Sequence, residues 1–577
     1  MTQAYRLDIE AILHNGRIYT VDAHDSVVEA LAIRDGRIVA TGASGDILAL
    51  AGGATRCVDL GGRAVIPGFV DSHPHMDGLA YRKIKPAFDN PKSIDEILAV
   101  IKAEVARRKP GEWIVCNPIS SEPEVMNYPG ALREGRWPNR HDLDRVAPDN
   151  PVYIEPPGLV APGVAIANTA AIRLAGIEPT TVVPPGIEIE LDADGELSGV
   201  FRDSNFPKLM PDTYGTVRPG RVLFPMIPPV THADLVRGMK IAQQEFNACG
   251  VTAIYEGHGI PKPQQAAYLD LWLQKELTVR TYFVISFGPP LFENAAAADA
   301  LIKETALYAA GDGFGDDLLK FGGLGYSFDS ATAIGACLMR EPYVGARGVK
   351  WKGIQFTSDE KFKDGLMRAA RAGLRVQVQA AGGAAIDKVL AIMEEIDRQI
   401  PIKGKRWALE HCQFPTPQNM EVCRRLGIVA TTTTNFLWNY GSVYLKCFGE
   451  AMSADAIPLR DWIDAGVMIA QSTDGRPHDA LFTFWQSLAR KDAVTGHVFG
   501  LPRQKLTRAE ALRLYTYNAA YCAFWEDRIG SLEPGKLADL VILSDDIMTI
   551  PEEKILETRI LATLLAGRPV HDTGLFP

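Results

Sequence analysis

A chain of 577 residues is too long for one small core and predicts a large domain with an accessory one. A net charge of −10 and a pI near 5.7 argue against nucleic-acid or anionic-membrane partners, which call for clustered positive charge. The eight cysteines form no C-x-x-C pair, Met1–Glu10 holds no apolar leader and no apolar run reaches membrane length, so a cytoplasmic protein acting on a small molecule is expected.

Residues 10–66 predict a β-rich module. Asn15-Gly16 and Asp35-Gly36 each stand between short apolar runs, the two-residue hairpin signal, and a further strand lies around Gly61-Gly62. At the other end, Leu537–Leu543 and Ile560–Val570 predict two more strands. Small sheets need a partner for their apolar face. Residues 1–66 and 521–577 are therefore expected to form one discontinuous β-sandwich domain, with residues 67–520 inserted between them.

Val65-Ile-Pro-Gly-Phe-Val-Asp-Ser-His-Pro-His75 opens the large domain as an apolar strand ending in His73 and His75. At i and i+2 of a strand, both imidazoles face one point. The stretch of about 85–230 is proline-rich, with one helical piece at Ser93–Arg108, and predicts an insertion near the site. A strand–helix rhythm follows, with strands at Gly250–Glu256, Thr278–Ser286, Asp317–Phe321, Leu374–Ala380, Arg406–His411, Ile428–Thr432 and Val467–Gln471. Alternation of this kind predicts an α/β fold with a parallel sheet closed into a (β/α)8 TIM barrel.

Reactive groups of such a barrel sit at the C-terminal ends of its strands. The ends read here bring His73, His75, Lys320, Gln377, Gln379, His411 and Asp474 into one neighbourhood, with His258 as a rival ligand and His478 close behind Asp474. Histidine and aspartate suit Zn2+ or another divalent metal. Taken one at a time, Lys320 reads as a surface lysine, Asp474 as a turn residue and His411 as a buried histidine. Aromatic residues near the expected mouth include Tyr326, Phe328, Phe436, Trp438, Tyr440, Phe482, Phe484 and Trp485; ordinary core packing accounts for many such residues. Tyr326, Phe436, Trp438, Gln379 and His478 are the candidates for touching substrate.

These stretches resemble the amidohydrolase superfamily, in its amidohydrolase-3 or YtcJ-like branch. The carriers are Pro67–His75, Lys320, Glu410-His-Cys-Gln413, Ser472-Thr-Asp474 and the tail Ile529–Leu543, in order along nearly the whole chain. The resemblance implies a distorted barrel, a sandwich made from both termini, and one or two metal ions per chain. It assigns His73, His75 and Asp474 to one ion, Lys320 as a bridging carbamate, and His411 to a second. Gln379 stands where the family carries a histidine, which puts that second ion in question. The expected activity is hydrolysis of a C–N bond in an amide or N-substituted formamide by metal-activated water. Asp474 is then the general base and acid, and His411 the group that polarises the carbonyl. A decarboxylase or C–C bond hydrolase on the same barrel is the alternative that Gln379 leaves open. A homodimer is an expectation from the resemblance alone.

Overall fold

A computed structural model describes residues 8–119, 128–156, 163–183, 187–203, 222–288, 294–345, 348, 350–474 and 477–576. Of the prolines that mark the insertion, Pro123 and Pro157 lie outside the described residues.

Eight parallel strands form the barrel: β1 (Phe69–Asp71), β2 (Val251–Ile260), β3 (Arg280–Ser286), β4 (Leu319–Ser327), β5 (Val376–Ala380), β6 (Ala408–His411), β7 (Val429–Thr432) and β8 (Ile469–Gln471), with Phe314–Gly315 added antiparallel to β4 as a ninth strand of the sheet. Each pairs with its neighbour in chain order. The seam between β1 and β8 is drawn together by Ser72, whose Oγ donates to the Gln471 carbonyl at 2.9 Å, so the barrel is nearly closed. The helices follow from sequence patterns that agree at every level. In Asp359–Arg371, Ser358 caps the Lys361 amide, Asp359 and Glu360 occupy the first turn, and Arg368 and Arg371 the last, all complementing the helix dipole. Its Phe362, Leu366, Ala369 and Ala370 repeat at helical spacing and are buried against the sheet.

The strand expected to begin at Val65 is two strands. Ala64–Pro67 belongs to a six-stranded sheet, while β1 belongs to the barrel. Gly68 is the hinge: a Cβ there would meet Thr252 Oγ1 at 2.2 Å, so only glycine lets the chain pass. That six-stranded sheet runs Arg568–Asp572, Ile560–Leu565, Leu540–Leu543, Ala64–Pro67, Arg17–Tyr19, Val27–Val28, and so mixes strands from both termini. It packs on a four-stranded sheet of Arg37–Gly42, Ala30–Arg34, Ala11–His14 and Arg56–Asp59, with Leu13, Ile33, Val65, Leu540 and Ile542 in the shared core. The Asp35-Gly36 hairpin is present, with both turn residues at positive φ. The Asn15-Gly16 hairpin is not: the two flanking strands lie in different sheets, and the turn is a corner between layers.

The proline-rich insertion has a structure of its own that the sequence did not announce. A five-stranded sheet (Ile187–Leu191, Leu197–Asp203, Gly163–Ala167, Val152–Ile154, Ile114–Cys116) packs on the helix Ile94–Val105 through Ile97, Leu98, Ile101, Ile154 and Ile166. Asn168 is structural there, accepting from Val152 N and donating to the Ala147 and Asn150 carbonyls. Among the described residues no helix is long and apolar enough to cross a membrane.

Candidate metal centre

Asp71, the last residue of β1, organises the loops that follow β1 and β8. Fully buried, it accepts from His73 N at 3.1 Å, Thr473 N at 3.1 Å, Thr473 Oγ1 at 2.6 Å and Tyr515 Oη at 3.2 Å. Burial raises its pKa, and these hydrogen bonds work in the other direction. Through this one carboxylate His73 and the residue before Asp474 share an anchor.

β1 ends at Asp71, so His73 and His75 are not strand residues. They converge nonetheless, with ring centroids 4.6 Å apart, because His75 sits in the left-handed region at φ 52° just before the helix Met76–Lys83. His411 (φ 70°) and Asp474 (φ 52°) share that conformation. Each such non-glycine residue costs on the order of 1–3 kcal/mol, and a cluster of them marks a place where side-chain direction outranks backbone comfort.

The imidazoles and Asp474 face one another across a buried space. Asp474 Oδ1 lies 3.3 Å from His75 Nε2, and its Oδ2 lies 3.4 Å from His411 Nδ1 and 3.9 Å from His73 Nε2. His73 Nε2 and Asp474 Oδ2 are both buried and have no hydrogen-bond partner. Ligand atoms about 2.0–2.2 Å from one divalent ion stand roughly 3–4 Å from each other, so the set His73, His411 and Asp474 fits an ion. The opposite side of His73 is held by Glu410 of β6, whose Oε1 lies 2.7 Å from His73 Nδ1. A carboxylate on the far nitrogen of an imidazole fixes the tautomer that turns the near nitrogen toward a metal. Glu410 Oε1 also accepts from Gln377 Nε2, whose amide oxygen accepts from Tyr255 Oη at 2.9 Å. Gly257 leaves room for this knot, since a Cβ there would stand 2.0 Å from Glu410 Oε1.

Charge follows the same geometry. Burial would lower the His73 pKa, but Glu410 and Asp474 outweigh it and lift it to about 9. Burial would raise Asp474, but His73, the hydrogen bond from His75 and His411 hold it well below the usual carboxylate range. Glu410 is lowered too, against its burial, mainly by His73. Burial and neighbouring imidazoles leave His75 and His411 below the ordinary histidine value.

The sequence-predicted residues separate into two groups. His73, His75, His411 and Asp474 meet, and His258 joins them, its ring 4.0 Å from His75 and 5.6 Å from His73. Lys320 does not: β4 runs from Leu319 to Ser327, which puts Lys320 at its N-terminal end, where Nζ pairs with Asp312 Oδ2 at 2.8 Å. The glycines Gly322, Gly323 and Gly325 hide that strand from propensity, yet each is required, because a Cβ would strike Gly313 Cα, the Arg375 carbonyl or Val284 within 2.7 Å. Gln379 does stand at the end of β5, and its amide oxygen accepts from Ser327 Oγ. Among the aromatic residues, Phe436 is stacked 5.8 Å from the His411 ring and meets Tyr440 at 5.3 Å. Tyr326 instead lies in the core between sheet and helix, hydrogen-bonded to Thr357 Oγ1 and 5.2 Å from Phe362. Trp438 packs on Phe482 and Trp485, away from Phe436, as two residues on a helix must point roughly 200° apart. His478 meets Arg82 at 2.7 Å and Phe246 at 5.4 Å. Glu410, Glu256 and Asp77 carried no role in the sequence reading. The available signal was a lone acid at an otherwise apolar strand end, as at Glu256 and Glu410.

Known proteins share sequence and fold with this chain. A model of the amidohydrolase family matches residues 56–571. The chain is 25% identical to an N-substituted formamide deformylase of Arthrobacter pascens, over 97% of each chain. It is 24% identical to the protein LONG AFTER FAR-RED 3 of Arabidopsis thaliana, over 97% of this chain and 91% of that one. The fold is shared with an uncharacterized metal-dependent hydrolase from Pyrococcus furiosus, at a TM-score of 0.69 and 22% identity, covering 93% of this chain and all of the other.

Proposed function

We propose, from the premise that this chain belongs to the amidohydrolase family, that it is a hydrolase which cleaves the C–N bond of an amide or N-substituted formamide bearing an apolar or aromatic group. The observation that carries the reading is the pair of buried, unpartnered atoms His73 Nε2 and Asp474 Oδ2, with His411 beside them. His73, His411 and Asp474, with His75 in reach, would hold a divalent ion, and nitrogen donors with one carboxylate favour zinc. Such an ion, when bound, polarises the scissile carbonyl and lowers the pKa of a water toward about 7.

The chain's own residues do the rest. Glu410 holds the Nδ1 side of His73 and so aims its Nε2. Asp474 takes the proton of the attacking water and returns it to the departing nitrogen, the role of a general base and then acid. His411, whose pKa burial lowers, would turn the ring nitrogen not given to the ion toward the substrate oxygen and contribute to charge stabilisation there. Phe436, stacked on His411, offers a flat apolar face to the substrate's acyl or amine group. The A. pascens relative's name supports the formamide class.

The test is formate and amine release by zinc-loaded protein from a panel of N-benzyl, N-aryl and small polar N-alkyl formamides and amides. Faster turnover of the aromatic members, abolished by chelation, is expected. Chelator-insensitive turnover removes the metal reading; equal rates across the panel remove the aromatic one.

A further inference from the structure

A second cluster of chemistry-bearing side chains lies on the β2 side of His75. Glu256 is fully buried. One of its oxygens, Oε1, is taken by Met76 N at 2.9 Å, Asp77 N at 3.4 Å and Tyr268 Oη at 2.8 Å. The other, Oε2, has no hydrogen-bond partner and points at His258 Nδ1, 3.4 Å away. His258 has neither ring nitrogen hydrogen-bonded, and its Nε2 lies 3.2 Å from Asp77 Oδ1. With one atom taken from each, Asp77, Glu256 and His258 lie within 4.8 Å of one another, and Glu256 Oε2 and both His258 ring nitrogens lack hydrogen-bond partners.

The backbone is bent to make this happen. Between Glu256 and Ile260 the pairing of β2 with β3 slips, four residues of β2 spanning two of β3. Bulges of this kind re-aim side chains beside active sites. Here the bulge brings the His258 ring to within 4.0 Å of His75. Two carboxylates held together in a dry place repel each other, and a divalent cation between them would relieve that repulsion.

We infer that Asp77, Glu256 and His258 form a second divalent-metal position, beside the first and joined to it through the adjoining rings of His75 and His258. This places the second ion on the β2 side of the histidine pair. On the β4–β5 side, Lys320 is at the far end of its strand and Gln379 is engaged by Ser327. Two carboxylate oxygens and one imidazole make a donor set suited to Mn2+ or Zn2+. The inference rests on the reading that His73, His411 and Asp474 hold the first ion.

Full-length protein stripped with chelator and titrated with Mn2+ in a calorimeter tests it, with electron paramagnetic resonance of the loaded sample reporting spin coupling between neighbouring ions. Two equivalents per chain with a coupled spectrum are expected. His258→Gln and, independently, Glu256→Gln should each fall to one equivalent with an uncoupled spectrum while keeping the wild-type far-ultraviolet circular dichroism. One equivalent in the wild type, lost in Asp474→Asn but kept in His258→Gln, overturns the second position and leaves the first standing. Two equivalents retained in both His258→Gln and Glu256→Gln also overturn it. No binding at all removes both readings.

Discussion

The two ends of the barrel treat charge in opposite ways. At the floor, where strands begin, four cations have acidic partners: Arg280 grips Asp539 with bonds of 2.6 and 2.9 Å, Arg406 meets Glu526, Arg528 meets Asp317 and Lys320 meets Asp312. Arg375, with no acid, donates to the Arg406 and Cys522 carbonyls and lies 4.8 Å over the Tyr255 ring, its Nη2 left without a hydrogen bond. At the mouth, where strands end, His73, His258, Glu256 and Asp474 keep buried atoms with no partner. The Arg280–Asp539 pair is as buried as the mouth, so burial alone does not distinguish structure from function. Satisfaction does: a closed ion pair is finished, whereas convergent unpartnered donors are finished only by something the chain does not encode.

The contrast can be broken first at the mouth. Asp474→Asn should lower kcat by about 10²–10⁴-fold, with the melting temperature little changed; near-normal turnover would remove Asp474 from the proton path. At the floor the reverse is expected. Arg280→Met strands a buried Asp539 carboxylate, 1% exposed, and should cost about 3–5 kcal/mol in urea unfolding. Turnover per folded molecule should stay near wild type; a lost metal ion in that variant would mean the floor and mouth are coupled.

Smaller effects sharpen the comparison. Glu410→Gln leaves His73 without its anionic partner and should weaken metal affinity by about 10–100-fold in competition with a chromogenic chelator. The metal-stripped chain should also show a pH signature from the mouth alone. His73 titrates near 9 in the fold against an ordinary 6.5, so its stabilising contribution is whole below about pH 6.5 and is lost as pH rises through 9. Thermal melts of stripped protein between pH 6 and 9.5 should fall accordingly, and a flat profile would count against the His73–Glu410 pairing. Least of all, Lys320→Met should change stability by about 0–1 kcal/mol and metal content not at all, because its Asp312 partner is 63% exposed. Metal loss there would put Lys320 back at the site.

What the sequence made legible follows from where local signals are strong. The βα rhythm from β2 to β8 was readable because helices such as Pro417–Leu426 and Gly383–Asp397 carry full amphipathic patterns, and the strands between them are apolar. His73, His75, His411 and Asp474 were readable because each closes such a strand or follows it closely. Lys320 was misplaced by the glycines that lengthen β4 past its apolar start. The sheet of the insertion was missed because its strands at Ile114–Cys116 and Val152–Ile154 are three residues long and stand amid prolines. Glu410 and Glu256 stood out only as lone acids at apolar strand ends; what they do lies in contacts between strands, and no spacing along the chain encodes it.

The split of the first apolar run at Gly68 has a consequence for how the molecule is made. The stretch that delivers His73 begins as Ala64–Pro67, and its antiparallel neighbour in the sheet is Leu540–Leu543. About 470 residues separate the two strands along the chain, so a ribosome releases the histidine pair well before the strand that completes the platform beneath it. The order of translation is thus opposite to the order in which the centre can be assembled.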